Sequence, residues 1–208
     1  MDRLNLHGGE IRKSPIALLL IDVINDMQFP EGRELLKHAL PAARKIAALK
    51  KRAQSAGIPV IYVNDNFGRW QSDFKRLVQH CLKDGVCGEP VARLLGPEDD
   101  DYFVLKPKSS AFFETTLHTL LRHLGVKTLV LAGYAADVCI LFTAHDAHLR
   151  DYNIIVPADC VASNSKRETA MALKNILKAT RALVCHSEAV DLRRLRAGTR
   201  MVEEEQAA

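Results

Sequence analysis

Apolar positions along the chain fall into short unbroken runs, separated by stretches where they recur every three or four residues. The clearest run is Ile16-Ala17-Leu18-Leu19-Leu20-Ile21, which is followed directly by Asp22. An unbroken run of this length suits a strand buried on both faces, as in a parallel sheet. Residues 59–64, 102–105, 126–132, 153–156 and 182–185 are further strand candidates. Between them the period changes. Pro41, at a favoured first-turn position, opens a helix that brings Ala42, Ile46, Leu49, Ala53 and Ala56 onto one face, and Gly57 closes it. Thr115 or Thr116 caps a helix carrying Leu117, Leu120, Leu121 and Leu124, stopped at Gly125. Further helices are expected over 74–82, over 138–149, and over 165–179 behind a Ser165 cap. Residues 65–101 are the least regular stretch, with 85–101 read as loop-rich.

Six strands interleaved with helices predict an α/β domain, doubly wound around a six-stranded, mostly parallel sheet. There is no internal repeat, low-complexity tract or Pro/Ser-rich linker in the 208 residues. The expectation is one domain over 1–208, with its core at about 15–192 and flexible termini.

Composition narrows the classes. Hydrophobic residues are 48% and charged residues 26%, which allows a core without metal or disulfide staples. No apolar run approaches the ~20 residues of a membrane span, and the start of the chain lacks a signal-peptide core. The five cysteines (Cys81, Cys87, Cys139, Cys160, Cys185) are odd in number and scattered, which fits free thiols and a cytoplasmic protein. The net charge of +4 is only mildly basic, and part of the excess lies at Arg193, Arg194, Arg196 and Arg200. That tail reads as solvated or as an oligomer contact. Neither nucleic acid nor a membrane is expected as a partner; the expected partner is a small-molecule substrate.

In an open parallel sheet, sites form beyond the carboxyl ends of the strands. Three residues there carry chemistry: Asp22 after the first strand, Lys106 after the third, and Cys139 at the start of the helix behind the fourth. A thiol attacks as thiolate, a nearby carboxylate can take its proton, and backbone N–H groups in the 134–139 turn can face a developing oxyanion. A helix N-terminus and a neighbouring lysine are expected to lower the thiol's pKa, so Cys139 should react with iodoacetamide well below pH 8.

Three segments carry a family resemblance: Leu18-Leu19-Leu20-Ile21-Asp22, Leu105-Lys106-Pro107-Lys108-Ser109-Ser110-Ala111-Phe112 and Gly133-Tyr134-Ala135-Ala136-Asp137-Val138-Cys139. With Thr143-Ala144-His145-Asp146-Ala147 behind them, they resemble the signatures of the isochorismatase-like cysteine hydrolases, a superfamily that includes nicotinamidases and N-carbamoylsarcosine amidases. The resemblance implies a three-layer α/β/α, Rossmann-like domain and an Asp22-Lys106-Cys139 triad. Asp22 would be base and proton shuttle, Lys106 the cationic partner and Cys139 the nucleophile. It implies oxyanion donors at Ala136 and Cys139, and a cis peptide at Ala135-Ala136. Ala136 stands where the family often has threonine. The implied reaction is acyl transfer on a small amide through a Cys139 thioester, with vinyl ether hydrolysis or a non-catalytic binding role as alternatives. Homodimers or homotetramers are usual in the family.

No histidine lies between His38 and His80, so the metal-ligand pattern of the nicotinamidases is missing and no metal or other cofactor is expected. Asp65 is read as a turn residue or a supporting acid. Phe67, Trp70, Phe112 and Tyr134 are candidates for an apolar pocket around a small planar substrate, with Arg69 pairing a carboxylate.

Overall fold

In the computed structural model, which describes residues 13–68 and 73–198, a parallel sheet forms the middle of three layers. Its strands are β1 (Ile16–Ile21), β2 (Val60–Asp65), β3 (Tyr102–Lys106), β4 (Thr128–Tyr134), β5 (Asn153–Pro157), β6 (Val161–Ala162) and β7 (Leu183–Cys185). The order across the sheet is β3-β2-β1-β4-β5-β7, with β6 paired to the end of β4, and every pairing is parallel. The chain winds outward in one direction from β1 and in the other from β4. The topological switch point therefore lies between these two strands.

The unbroken apolar run predicted for β1 has its reason here, since all six of its residues are fully buried. Alternate side chains face opposite layers. Ile16, Leu18 and Leu20 pack towards α1 (Gly32–Ser55), α2 (Phe74–Lys83), α3 (Glu89–Leu94) and α7 (Leu192–Arg196). Ala17, Leu19 and Ile21 pack towards α4 (Leu117–Leu124), α5 (Leu141–His148) and α6 (Lys166–Thr180). Each of the leucine and isoleucine side chains, fully removed from water, contributes about 1.5–3 kcal/mol.

Several boundaries differ from expectation. Pro41 lies inside α1, which begins nine residues earlier at Gly32. Leu35 and Ala39 continue the buried face N-terminal to the proline, and that burial carries the helix through it. Residues 85–101 contain the short helix α3, held by buried Val91 and Ala92. Thr116 holds the N-cap of α4 without a side-chain bond, and the Thr115 hydroxyl just before it accepts the Leu117 N–H at 3.2 Å, while Ser165 accepts the Glu168 N–H at the start of α6 as expected. The two-residue strand β6 makes a seventh strand, too short to register as an apolar run. Among the described residues no helix is long and apolar enough to cross a membrane.

Gly133, next to last in β4, joins the two halves of the sheet. It adopts φ 125°, and a Cβ there would lie 2.0 Å from the Ile21 carbonyl oxygen of β1. Gly57 also has positive φ, but its Cβ would meet nothing within 4 Å. Gly133→Ala should therefore cost more than about 3 kcal/mol in urea denaturation, against about 1–2 kcal/mol for Gly57→Ala. Equal losses in the two variants would refute the close-packing role of Gly133.

Candidate active site

Three peptide segments reach one cluster at the carboxyl edge of the sheet. Asp22 is the first residue past β1. Its N–H still donates to the Val63 carbonyl at 2.9 Å, but its φ of 54° turns the chain out of the sheet. The turn leaves the carboxylate against β2, where Oδ1 accepts the Asp65 N–H at 2.8 Å. Oδ2 lies 2.9 Å from the Nζ of Lys106.

Lys106 ends β3 opposite Asp65 in the strand register and has no solvent exposure. Beyond Asp22, its ammonium reaches the Lys108 carbonyl at 3.2 Å, the Sγ of Cys139 at 3.5 Å and Asp65 Oδ2 at 3.7 Å. Asp65 makes the turn expected of it, since its Oδ1 accepts the Phe67 N–H at 2.5 Å, and its other oxygen lies beside the Lys106 ammonium.

Cys139 lies in a wide turn over Ala136–Ile140 that leads into α5. The Ala135 carbonyl accepts the N–H of Val138 at 3.3 Å and of Ile140 at 3.1 Å, passing over that of Cys139. Such widened turns recur at functional sites. The thiol is half-buried, and its Sγ accepts from the Lys106 ammonium at 3.5 Å, with the Asp22 charge close enough to act on it.

Burial dominates the electrostatics. It pushes the Asp22 carboxyl above the ordinary carboxylate value, against the pull of the Lys106 charge and of hydrogen bonds from Cys139, Lys106 and Asp65. It also works to lower Lys106, but Asp22, Cys139 and Asp65 outweigh it and hold the ammonium above its usual value. The Cys139 thiol is pushed up to about 12, by burial first and by the Asp22 charge second, with Lys106 opposing. The expected low-pKa thiol is therefore corrected. Lysine does act in the direction foreseen, but desolvation and a carboxylate partner exceed it.

Three further expectations need correction. Tyr134 does not line a pocket: it is buried on the α1 side of the sheet, where its hydroxyl donates to the Ala39 carbonyl at 2.9 Å. Phe112 is likewise buried, stacked on Tyr152 at 5.9 Å between ring centres, with the Arg150 guanidinium 5.0 Å from its own ring centre. The cis peptide is Tyr134-Ala135, one bond earlier than Ala135-Ala136. The Ala135 carbonyl already serves as the first helical acceptor, so the Ala135-Ala136 peptide belongs to the turn that follows. Phe67 remains exposed on the loop beyond Asp65. Arg69 and Trp70 lie outside the described residues.

Two polar clasps carry no warning in the apolar pattern. The Ser110 hydroxyl donates to the Asp146 carboxylate, which also takes Arg150 at 2.6 Å, and Thr143 Oγ1 accepts the Ala111 N–H at 3.0 Å. These bonds tie the segment behind Lys106 to the helix behind Cys139. On the other flank, Ser163 bonds to Asp137. The available signal was polarity at positions a core would make apolar: Thr143 and Ser163 are both fully buried.

The strand order, with a polar cluster at the switch point, is that of a doubly wound α/β protein. An isochorismatase-domain family model matches residues 16–188, and on that match the chain belongs to the isochorismatase family of hydrolases. It is 42% identical over 161 residues to YaaI, an uncharacterised isochorismatase family protein of Bacillus subtilis (strain 168), covering 77% of this chain and 88% of that one. It is 35% identical over 157 residues to a probable inactive nicotinamidase of Arabidopsis thaliana, covering 71% and 80%. The crystal structure of N-carbamoylsarcosine amidase from Thermoplasma acidophilum matches with a TM-score of 0.65 at 29% identity, covering 85% of this chain and 98% of that one.

The electrostatics give a test that needs no substrate. Wild-type Cys139 should alkylate slowly with iodoacetamide below pH 8. Asp22→Asn removes the anion and leaves the Lys106 charge, so labelling at pH 7 should rise by roughly tenfold or more. Slower labelling in the variant, followed by mass spectrometry of the Cys139 peptide, would contradict this ordering of charges.

Proposed function

We propose that the protein is a cysteine amidohydrolase that cleaves a C–N bond of a small molecule, with Asp22, Lys106 and Cys139 as its triad. The observation that carries this reading is the meeting of carboxylate, ammonium and thiol from three separate strand ends, with Lys106 Nζ 2.9 Å from Asp22 and 3.5 Å from Cys139. The structural likeness to N-carbamoylsarcosine amidase supports an amide-type bond.

In the proposed reaction Asp22 takes the proton of Cys139, and the thiolate adds to the substrate carbonyl carbon. The N–H groups of Ala136 and Cys139 hold the oxyanion. Asp22 gives its proton to the nitrogen, the C–N bond breaks, and ammonia or an amine departs. Water, deprotonated by Asp22, then adds to the thioester, and collapse releases the acid and restores the thiol. Lys106 keeps its charge throughout and offsets the negative charge as it moves. Phe67, with Arg69 and Trp70 next along the chain, is proposed to line the substrate side, Arg69 pairing with a substrate carboxylate.

The decisive experiment is ammonia release from a panel of small primary amides and N-carbamoyl amino acids. Cys139→Ala should lose at least about 10³-fold in kcat while its circular dichroism is unchanged. Retained activity in that variant would remove the nucleophile. Hydrolysis of a vinyl ether that survives Cys139→Ala but fails in Asp22→Asn would favour the isochorismatase-type reaction instead.

The pH profile follows from the signs of the shifts. A raised pKa means that Asp22 becomes the carboxylate needed as base only above the ordinary range of about 4. The acid limb of kcat/KM should therefore lie higher than for an exposed carboxylate. Lys106, raised from its usual value, should impose no alkaline limb in the neutral range. A profile flat down to pH 4 would exclude Asp22 as the base.

A further inference from the structure

The turn that carries Cys139 is held from outside its own helix. β6 pairs with the end of β4, Gly133 opposite Val161 and Tyr134 opposite Ala162, so the next residues along, Ala135 and Ser163, leave the ladder side by side. At this point β4 turns into the Cys139 segment. Ser163 is fully buried. Its Oγ accepts the Asp137 N–H at 3.2 Å, and its hydroxyl donates to Asp137 Oδ1 at 2.5 Å. The two bonds run between one pair of residues in opposite senses. Together they fix the Ala136-Asp137 peptide plane and the Asp137 side chain against β6.

Ser163 is itself anchored. Its N–H donates to Thr169 Oγ1 at 3.0 Å, and the Thr169 hydroxyl donates to the Ser165 carbonyl at 3.0 Å in the first turn of α6. The Ser165 side chain caps the same turn by accepting the Glu168 N–H at 3.1 Å. The chain of bonds therefore runs from the start of α6, through Ser163, to the Ala136-Asp137 peptide and the Asp137 side chain. Neither Ser163 nor Asp137 is among the groups that touch Lys106 or Asp22.

We infer that Ser163, acting through Asp137, is a positioning residue that holds the backbone N–H groups of Ala136 and Cys139 in the geometry an oxyanion requires. This rests on the acyl-transfer reading above. The physical reason is that an N–H donor contributes to a transition state only if it is already aimed at the position the oxyanion will take. A first helical turn leaves its N–H groups without intrahelical partners and free to fray. Clasping the Asp137 N–H removes that freedom from the peptide next to Ala136. It also takes Asp137 out of competition as a donor.

The prediction separates two reactions of the same sulfur. Iodoacetamide alkylates Cys139 by displacing iodide, and no oxyanion forms. With p-nitrophenyl acetate the thiolate adds to the ester carbonyl, an oxyanion forms, p-nitrophenolate leaves and Cys139 carries an acetyl thioester. Both rates can be read on the intact protein, by absorbance and by mass of the Cys139 peptide. Ser163→Ala should lower the acetylation rate about 10-fold to 100-fold and change the alkylation rate less than about threefold. Asp137→Ala, at a partly exposed position, keeps the backbone N–H but removes the carboxylate that orients the Ser163 hydroxyl; it should lower the acetylation rate in the same direction and serves if Ser163→Ala does not fold. Asp137→Asn keeps an acceptor oxygen for the Ser163 hydroxyl and should restore most of the acetylation rate. A ratio of acetylation to alkylation that stays at the wild-type value in both Ser163→Ala and Asp137→Ala would overturn the inference, and so would a failure of Asp137→Asn to restore it. If wild-type Cys139 alkylates but never acetylates, the acyl-transfer reading itself falls, an outcome distinct from an unchanged ratio in the variants.

Discussion

Lys106 is an ammonium with no solvent exposure, and the arrangement of the sheet's carboxyl edge follows from that fact. Removing such a charge from water costs several kcal/mol unless a counter-charge and hydrogen bonds replace the lost solvent. Asp22 supplies the counter-charge at 2.9 Å, and the Lys108 carbonyl supplies a further acceptor. The pair spans from β3 to the end of β1, across β2. Asp65 of β2 then has to serve both partners, its N–H on Asp22 and its carboxylate near Lys106. Once this pair is set, three strand ends are locked in relative position, and the remaining place beside the ammonium is taken by Cys139.

The same constraint governs how a proton can move. Burial raises the carboxyl of Asp22 and the thiol of Cys139 alike. Transfer from sulfur to carboxylate depends on the difference between the two, and a penalty common to both leaves that difference less disturbed than either value. The transfer also leaves the net charge of the trio unchanged while Lys106 stays positive. A dry cleft can accommodate a shift of negative charge from one side of an ammonium to the other far better than the creation of a new charge. In the proposed reaction a thiol held in its protonated form at rest therefore remains a competent nucleophile when a substrate carbonyl is presented.

What could be read in the chain and what could not divide along physical lines. The strands were legible because burial on both faces leaves no polar interruption, as in 16–21, and the site residues stood out as the polar groups that end those runs. The directions of side chains were less legible. Tyr134 lies near the chemistry in sequence, but strand alternation sends it to the α1 layer, and Phe112 packs under Arg150 in the opposite layer. Spacing cannot tell an aromatic that lines a cleft from one that fills the core next to it. Pro41 reads as a helix start because the pattern of propensities does not weigh the buried face that Leu35 and Ala39 continue on its N-terminal side. The acidity of Cys139 is illegible in the sequence for a similar reason. Neighbouring charges can be inferred from motifs, whereas the depth of burial that outweighs them is a property of the folded chain.

The site is assembled from two halves with different tasks. β1, β2 and β3 contribute charge: Asp22, Asp65 and Lys106 hold one another and need little from elsewhere. The half built on β4 and β6 contributes position. Its sulfur and its N–H groups carry little charge at rest, so attraction alone cannot hold them in place. Buried hydroxyls do so instead: Ser163 on one flank is bonded to Asp137, and on the other Ser110 is bonded to the Asp146 carboxylate and Thr143 to the Ala111 N–H, across the gap between the Lys106 and Cys139 segments. The halves meet where Gly133 lets β4 lie against the Ile21 carbonyl, one residue before Asp22. A side chain at that contact would part the charges from the sulfur even if every polar residue were kept, so the smallest residue in β4 sets the distance over which the proposed chemistry must act.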